Sequence, residues 1–354
     1  MLPAGAVEVQ HLLLPGQPQL NASALESGRA LFFMRSFRTC GNRAFGRRTA
    51  GLGSVLLIAV GPLGAQDSTS AGRVLSAQGG LGVNASSLIW TLGGVGSPRS
   101  ELTYQGLLSL ELAVVGSYRQ PIVSNWTSAL AVEIRGGPLL GGTVQDSDFT
   151  FEDRTEYSRS TSEITGDISL RLDVGLALLH ELVNVPLVRV VEVWGGVCRS
   201  QLRLRKQNGR QVIPDDAPSG LLEDLDSRYR AQWNGPWYGG ALVVPTGVGE
   251  LRFMGKRHFR TRYWAEGQWN LREDLMQPKS FSQGALGSGY DILASFGGTI
   301  LPGIDVVIAT ESSSRRARNG YDIEYRVTGE ATRGNLGEVE SSYFSFRVLV
   351  TIQR

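Results

Sequence analysis

The sequence is poor in the residue types from which several common kinds of functional site are built. Its 354 residues include only two cysteines, Cys40 and Cys198, and three histidines. This excludes a disulfide framework and a multi-ligand zinc site, and we expect neither a metal nor a cofactor. The formal net charge is only +2, so the chain offers no strongly basic surface for nucleic acid and we expect no such partner.

Long hydrophobic runs are also missing. Beyond residue 70 there is no uncharged apolar stretch of about 18 residues, the length that a membrane-spanning helix needs, which excludes a helical multispan protein. The chain is instead rich in glycine, with 45 of 354 residues, and has an ordinary apolar share of 42%. That glycine content is about twice the usual share. Among the remaining classes, a membrane β-barrel fits this composition.

The first 65 residues have the order of an export signal. Basic residues between Arg35 and Arg48 precede an apolar run at 51–60, and small residues follow at 61–65. A positive, a hydrophobic and a small-residue segment in this order predict a cleaved secretory signal. Met34 is an alternative start. We therefore expect a leader, 1–65, and an exported domain, 66–354, destined for the bacterial outer membrane.

Apolar and polar residues alternate over several segments of the exported domain. Between 162 and 178 the even positions are mostly apolar, whereas the odd positions include Glu163, Asp167 and Asp173. A strand places two such sets on opposite faces. The same period of two recurs at 102–114, 126–136, 250–262 and 344–352, and less regular strands are expected near 81–92, 188–205, 229–244, 285–300 and 304–316.

These segments predict an all-β fold, a ten-stranded antiparallel transmembrane β-barrel. Short connections alternate with longer polar ones, which we expect at 93–100, 139–161, 206–228, 267–284 and 317–340. An even strand count, alternating loop lengths and both termini on the short-loop side are typical of outer-membrane barrels. A soluble β-sandwich also alternates, but long strands with many charges on the polar face fit a tall barrel with a polar lumen better.

The polar face of the 250–262 strand is unusually cationic. We predict that its basic residues line the lumen and pair there with acidic residues of other strands, because an unpaired buried charge is costly. The predicted lumen charges are Arg252, Lys256, His258, Arg260, Arg262, Glu133, Asp167 and Asp173. A salt-bridged plug is one interpretation of this set, and an anion-preferring pore lining is the other.

An acidic motif lies where the third strand reaches an outer loop. The motif is Asp146-Ser147-Asp148-Phe149, and it follows Glu101-Leu102-Thr103-Tyr104 at the spacing of one barrel hairpin. With ten strands and an exported domain of about 290 residues, the chain resembles the omptin family of outer-membrane aspartate proteases. The resemblance implies that Asp146 and Asp148 form one half of a catalytic centre at the barrel rim, opposite an Asp-x-His pair. It also implies outer-membrane lipid, including lipopolysaccharide, as a partner.

The expected Asp-x-His pair is not present in the facing loop. Residues 267–284 contain no histidine, and a histidine acts as general base in such centres because its pKa lies near working pH. We therefore predict an omptin-like surface protein without the histidine-dependent centre, in a structural, adhesive or pore role. One alternative is an endopeptidase that uses Asp146 and Asp148 with another base. The other is a small solute channel, and either alternative implies a peptide or solute ligand at the rim.

Overall fold

The computed structural model describes residues 72–352, except for 95–96, 151–152, 184, 186 and 214–218. The predicted leader, 1–65, and the alternative start at Met34 lie outside the described residues. Within them, no helix has the length and apolar character to cross a bilayer. The described residues form twelve strands: β1 Val74–Gly94, β2 Ser97–Val123, β3 Trp126–Phe149, β4 Glu156–Ile164, β5 Ile168–Glu181, β6 Val190–Ile213, β7 Gly220–Leu222, β8 Ser227–Thr246, β9 Gly249–Gln268, β10 Phe281–Leu301, β11 Ile304–Tyr325 and β12 Ala331–Ile352.

Antiparallel pairing closes these strands into a β-barrel. Each long strand pairs with its neighbours in the chain, and β1 also pairs with β12. The strands β4 and β5 both lie between β3 and β6, so together they occupy one position of a ring of ten. The three-residue β7 adds only to the edge of β6. The prediction of ten strands therefore describes the ring, whereas the strand count is twelve.

The extra strand boundary falls inside the segment predicted as one strand, 162–178. Gly166 and Asp167 both adopt positive φ angles, 147° and 118°, a region that non-glycine residues rarely occupy. This interrupts the alternation between β4 and β5, although Gly166 still accepts a hydrogen bond from the Arg205 amide. Asp167 consequently lies exposed at the break, and it does not reach the lumen as predicted.

The two ends of the barrel differ. The connections at 124–125, 247–248 and 302–303 are tight turns, and we call this the turn end; the opposite, rim end carries the longer connections at 150–155 and 269–280. Near the turn end the outward residues are apolar and the inward ones polar. On β12, Phe344, Phe346 and Val348 are exposed, while Ser345 and Arg347 are buried. This is the pattern of a strand that crosses lipid around a polar interior.

Towards the rim end the pattern is inverted. On the same strand Leu336 and Val339 are fully buried inside the barrel, whereas Glu338 and Glu340 face outward and pair with Arg316. The prediction of long loops at 139–161, 206–228 and 317–340 is therefore wrong. Most of these residues belong to β3, β4, β6, β11 and β12, which continue beyond the membrane band. A strand that leaves lipid must turn its polar side to water, and its apolar side then packs inward.

A bulge in β9 marks one place where the faces exchange. Met254, Lys256 and His258 point inward below it, and Thr261, Tyr263 and Ala265 point inward above it. Arg260 lies at the bulge with a φ of 49°, and the β8 and β10 partners shift register at the same level. The extra residue reverses which positions face the lumen.

Candidate functional site

Eleven inward side chains form a layer of charges across the middle of the barrel. We call it the ion-pair layer: Glu111, Glu133, Arg135, Arg171, Asp173, Lys256, His258, Asp291, Glu311, Arg315 and Arg347. Its contacts join strands on opposite sides of the ring. Arg135 of β3 lies 2.7 Å from Glu311 of β11, and Lys256 of β9 lies 2.9 Å from Asp173 of β5.

The ion-pair layer is balanced in charge. Apart from His258, it contains five carboxylates and five basic groups. Arg171 contacts Asp291 at 2.5 Å and Glu311 at 3.0 Å, and the Nε2 atom of His258 lies 2.8 Å from Asp291. Such a set is stable inside a barrel only if each charge has partners, because a lone buried charge loses its hydration without compensation. The layer thus fills the lumen with groups that hold one another in place.

An aromatic core lies between the ion-pair layer and the rim. It is formed by Trp90, Tyr104, Tyr229, Trp233, Tyr263 and Phe281 with surrounding aliphatic residues. The rings of Tyr104 and Tyr229 stack with centroids 5.5 Å apart. The hydroxyls of Tyr229 and Tyr263 contact each other and lie 3.1 and 3.2 Å from Gln283 Oε1. Burial raises the pKa of Tyr229 and of Tyr263 well above the usual value, so these hydroxyls stay protonated.

Below the ion-pair layer, the turn end contains an open chamber of about 810 Å³. Glu192 lies in its wall, where it accepts hydrogen bonds from Arg252 at 2.6 Å and from Trp194 Nε1 at 2.6 Å. Glu133 and Arg347, which contact each other, form part of its inner limit. The chamber therefore ends at the ion-pair layer and does not continue to the rim.

The rim end contains a cleft of about 580 Å³ between β2 and β3 on one side and β11 and β12 on the other. Three acidic residues line this rim cleft, Asp148, Asp322 and Glu324, together with Tyr157 and the basic residues Arg99 and Arg333. Glu324 accepts a hydrogen bond from Arg326 at 2.9 Å. The Asp322 side chain is only 4% exposed, and among the described residues no basic group lies within ion-pair distance of it.

Asp322 differs from the other acidic residues of the rim cleft in its ionisation. Its pKa is raised to about 6, mainly by burial and also by the neighbouring charge of Glu324, while the hydrogen bond with Gln283 acts in the opposite direction. A carboxyl group with this pKa changes charge near neutral pH. Strongly shifted groups in clefts are candidates for functional roles. No local pattern marked Asp322, because it falls in a segment expected to be a loop.

The two aspartates that the omptin resemblance assigned to catalysis lie two residues apart on β3 and have different neighbours. Asp148 lines the rim cleft. Asp146 lies beside the aromatic core, 3.5 Å from the Nζ atom of the buried Lys206. Burial raises the pKa of Asp146, and the Lys206 charge opposes that shift. Lys206 also lies 5.5 Å from the Trp269 ring, so Asp146 is held in a local ion pair, whereas Asp148 lines the rim cleft.

No histidine borders the rim cleft in the part of the chain that the structure describes. His258 belongs to the ion-pair layer, and His180 packs at 4.4 Å from Trp126 near the turn end. In the facing loop, Asp274 pairs with Arg272 at 2.8 Å and also with Arg326. The geometry of a histidine-dependent centre is therefore not assembled from the described residues.

The predicted lumen charges divide into two groups. Arg252, Lys256, His258, Glu133 and Asp173 face the interior. In contrast to the prediction, Arg260 and Arg262 are exposed on the outer wall because of the β9 bulge, where they line a groove with Arg199, Leu172 and Val197. The members of the ion-pair layer absent from the prediction are Glu111, Arg135, Asp291, Glu311, Arg315 and Arg347. The sequence pattern that could have located them is alternation, because they lie at every second residue of strands whose inward face is polar.

Comparisons with known proteins place the fold in the bacterial outer membrane. The sequence profile of the Protochlamydia outer membrane protein family, Pom, matches residues 84–353. The structure is similar to the outer membrane protease OmpT from Escherichia coli, with 13% identity and a TM-score of 0.63 over 78% of this chain and 96% of that one. At this identity the similarity concerns the fold alone.

Other solved barrels match with lower structural agreement. The toluene transporter TbuX from Ralstonia pickettii matches with 7% identity and a TM-score of 0.32, over 80% of this chain and 90% of that one. A FadL homologue from Pseudomonas aeruginosa matches with 8% identity and a TM-score of 0.29, over 78% and 90%. No curated protein sequence matches the chain.

Proposed function

The chain belongs to the Protochlamydia outer membrane protein family, and from this premise we propose that it is a sealed surface barrel whose rim cleft binds a basic side chain of a polypeptide. The rim end then faces outward from the cell and the turn end faces the periplasm. The observation that carries the proposal is Asp322, a buried carboxyl group in the rim cleft without a basic partner among the described residues.

A guanidinium or ammonium group would complete this site. Desolvation disfavours the ionised form of Asp322, and a cation placed beside it would favour that form again. Asp148 and Glu324 add negative charge to the same cleft. A bound arginine would make charge-assisted hydrogen bonds to two carboxylates, which are the stronger kind. The ligand class is therefore a polypeptide segment with an exposed arginine or lysine.

The filled interior favours a binding role over a pore role. The ion-pair layer and the aromatic core lie in series between the open chamber and the rim cleft. A solute would have to separate paired charges and then displace packed aromatic rings. A barrel of this size is generally filled by its side chains. We therefore place the ligand at the rim and not in a passage through the lumen.

The binding proposal is tested with matched peptides and matched variants. The refolded barrel in detergent micelles is titrated with a fluorescent peptide containing one arginine and with the same peptide containing citrulline. We expect the arginine peptide to bind at least about tenfold more tightly, a difference of about 1.4 kcal/mol. Asp148→Asn and Asp322→Asn should remove that preference, while Asp167→Asn, an exposed carboxylate outside the rim cleft, should leave it. Equal binding of both peptides by the unaltered protein would refute the proposal.

A second candidate is an endopeptidase that uses Asp148 and Asp322. The observation in its favour is a carboxyl group with a pKa of about 6 in the same cleft as a second aspartate. Two carboxyl groups in different environments can divide the roles of general acid and general base. This candidate requires cleavage of a dibasic peptide with activity lost in both Asp148→Ala and Asp322→Asn. Binding without cleavage leaves the first candidate in place.

The outer wall suggests a lipid partner as well. Arg199, Arg260 and Arg262 border a groove of about 380 Å³ beside Leu172 and Val197. Basic groups next to an apolar belt are placed to contact lipid phosphates while the belt contacts the acyl chains. We propose lipopolysaccharide or another phosphorylated outer-membrane lipid at this groove. Its addition should raise the melting temperature of the barrel, and the gain should disappear in Arg260→Gln combined with Arg262→Gln.

A further inference from the structure

One arginine of the ion-pair layer is bound differently from the others. Arg315 is 4% exposed, and no carboxylate of the described residues lies within ion-pair distance of it. Its Nη1 atom donates to Ser200 Oγ at 2.7 Å, and its Nη2 atom lies 3.5 Å from Cys198 Sγ. Its Nε atom has no hydrogen-bond partner. Arg315 thus has only neutral hydrogen-bond partners, and the charge of Asp291 acts on it from beyond ion-pair distance.

Arg315 borders a small internal cavity. The cavity has a volume of about 70 Å³ and lies where the ion-pair layer meets the aromatic core, between Tyr343 on one side and Trp233 on the other. Arg135 and Arg171 also line it, together with the hydroxyls of Ser86 and Ser200. The Nε atom of Arg171 is likewise buried without a partner. Two guanidinium donors without acceptors, Arg315 Nε and Arg171 Nε, therefore border this space, together with two acceptors without donors, Glu111 Oε1 and Asn84 Oδ1.

The charge around this cavity is positive. Three guanidinium groups line it, against the single carboxylate of Glu111. Glu111 lies 3.6 Å from Arg135 Nε. The other carboxylates of the layer are already engaged, since Glu311 contacts Arg135, Arg171 and Arg347. Asp291 contacts Arg171, His258 and Ser313. Among the residues that line the cavity, the guanidinium groups therefore outnumber the carboxylates by three to one.

We propose that this cavity is a binding site for a small inorganic monoanion of the halide type. Arg315 Nε and Arg171 Nε would donate to the anion, and serine hydroxyls of the lining, such as that of Ser200, would complete its shell. The volume of about 70 Å³ is several times the space that one water requires, so a halide fits with a few waters and a peptide carboxylate does not. Because Arg315 reaches from β11 to Ser200 on β6, the anion would join strands on opposite sides of the ring.

The test uses bromide, which is located by its anomalous scattering. The full barrel is crystallised in sodium bromide, and an anomalous map is calculated for the unaltered protein and for two variants. We expect a bromide peak beside Arg315 in the unaltered protein and in Arg316→Gln. Arg316 is the adjacent arginine on the outer face, paired with Glu338 and Glu340. The peak should be absent in Arg315→Gln.

A solution measurement covers the case in which Arg315→Gln does not fold. The melting temperature of the unaltered barrel is compared in chloride and in gluconate at equal ionic strength, with Arg315→Lys as a second variant. Chloride should raise the melting temperature of the unaltered protein and of Arg316→Gln, and the gain should be smaller in Arg315→Lys. Absence of bromide from the cavity of the unaltered protein would overturn the proposal, as would bromide retained in Arg315→Gln. Neither result depends on what the rim cleft binds.

Discussion

At the scale of single residues, Asp322 links stability to pH in a direction that can be calculated. Burial raises its pKa from 3.8 to about 6, so between these values the folded protein binds more protons than the unfolded chain. The stability of the barrel therefore falls as pH rises through this window, and the cost remains at higher pH. The cost is the electrostatic strain of holding an ionised carboxyl group in the rim cleft.

The variant Asp322→Asn should remove this cost. We expect it to be more stable than the unaltered protein at pH 8 by about 3 kcal/mol, since the pKa is raised by about two units and each unit corresponds to about 1.4 kcal/mol, and nearly equally stable at pH 4. Denaturant unfolding followed by tryptophan fluorescence at the two pH values measures the difference. Glu330→Gln, at an exposed position of the 326–330 connection, serves as control and should shift stability at neither pH. A variant less stable than the parent at pH 8 would contradict the assignment.

Glu311 is the acidic centre of the ion-pair layer. It contacts three guanidinium groups, at 2.7 Å for Arg135 and 3.0 Å each for Arg171 and Arg347. Glu311→Gln should cost about 3–5 kcal/mol, because each of the three buried guanidinium groups then loses one of its carboxylate contacts. Glu340→Gln, a half-exposed carboxylate on the outer wall, should cost at most about 1 kcal/mol. Equal unfolding midpoints for the two variants would contradict this prediction, because Glu311 would then contribute no more to the free energy of unfolding than an exposed carboxylate does.

Individual residues were predictable only where a local pattern marked them. The spacing of Asp146 and Asp148 identified both, but it could not show that Lys206 pairs with one of them. Lys256, His258 and Asp173 could be assigned to the lumen from their alternation. Arg260 and Arg262 could not, because a single inserted residue in β9 exchanges the faces. Asp322 has no such signal, and its properties arise from burial.

At the scale of strands, the inversion of inward and outward faces determines the architecture. Within the membrane band lipid requires apolar residues outside, and charges are free to pair inside. Beyond it water requires polar residues outside, and Leu336, Val339 and Tyr263 pack inside. The prediction of ten alternating segments captured the first part. It ended the strands too early, since the polar composition of 139–161 and 317–340 was interpreted as loop and not as strand with reversed faces.

Hydrogen exchange distinguishes the two descriptions of these segments. Amides of residues 141–147 and 316–323 lie in β3 and β11 with paired neighbours on both sides. We expect them to exchange slowly, at rates like those of the membrane band. The connection at 326–330 should exchange rapidly, which provides an internal reference. Exchange at 141–147 and 316–323 as rapid as at 326–330 would show that these two segments are loops and not strands.

At the scale of the whole molecule, the interior changes from open to closed along the barrel axis. The chamber of about 810 Å³ at the turn end gives way to the ion-pair layer and then to the aromatic core. The seal is built from side chains contributed by nearly every strand, so the closure is a property of the complete ring. The proposed binding role at the rim and the proposed absence of conduction both rest on this arrangement.

Conductance across a planar lipid bilayer tests this closure most directly. Refolded protein is inserted at known density, and insertion is confirmed independently by protection of the membrane band from protease. The account predicts a baseline without discrete conductance steps for the unaltered protein. Reproducible unitary steps whose size changes in Glu311→Gln would show an open path through the ion-pair layer and would contradict the account.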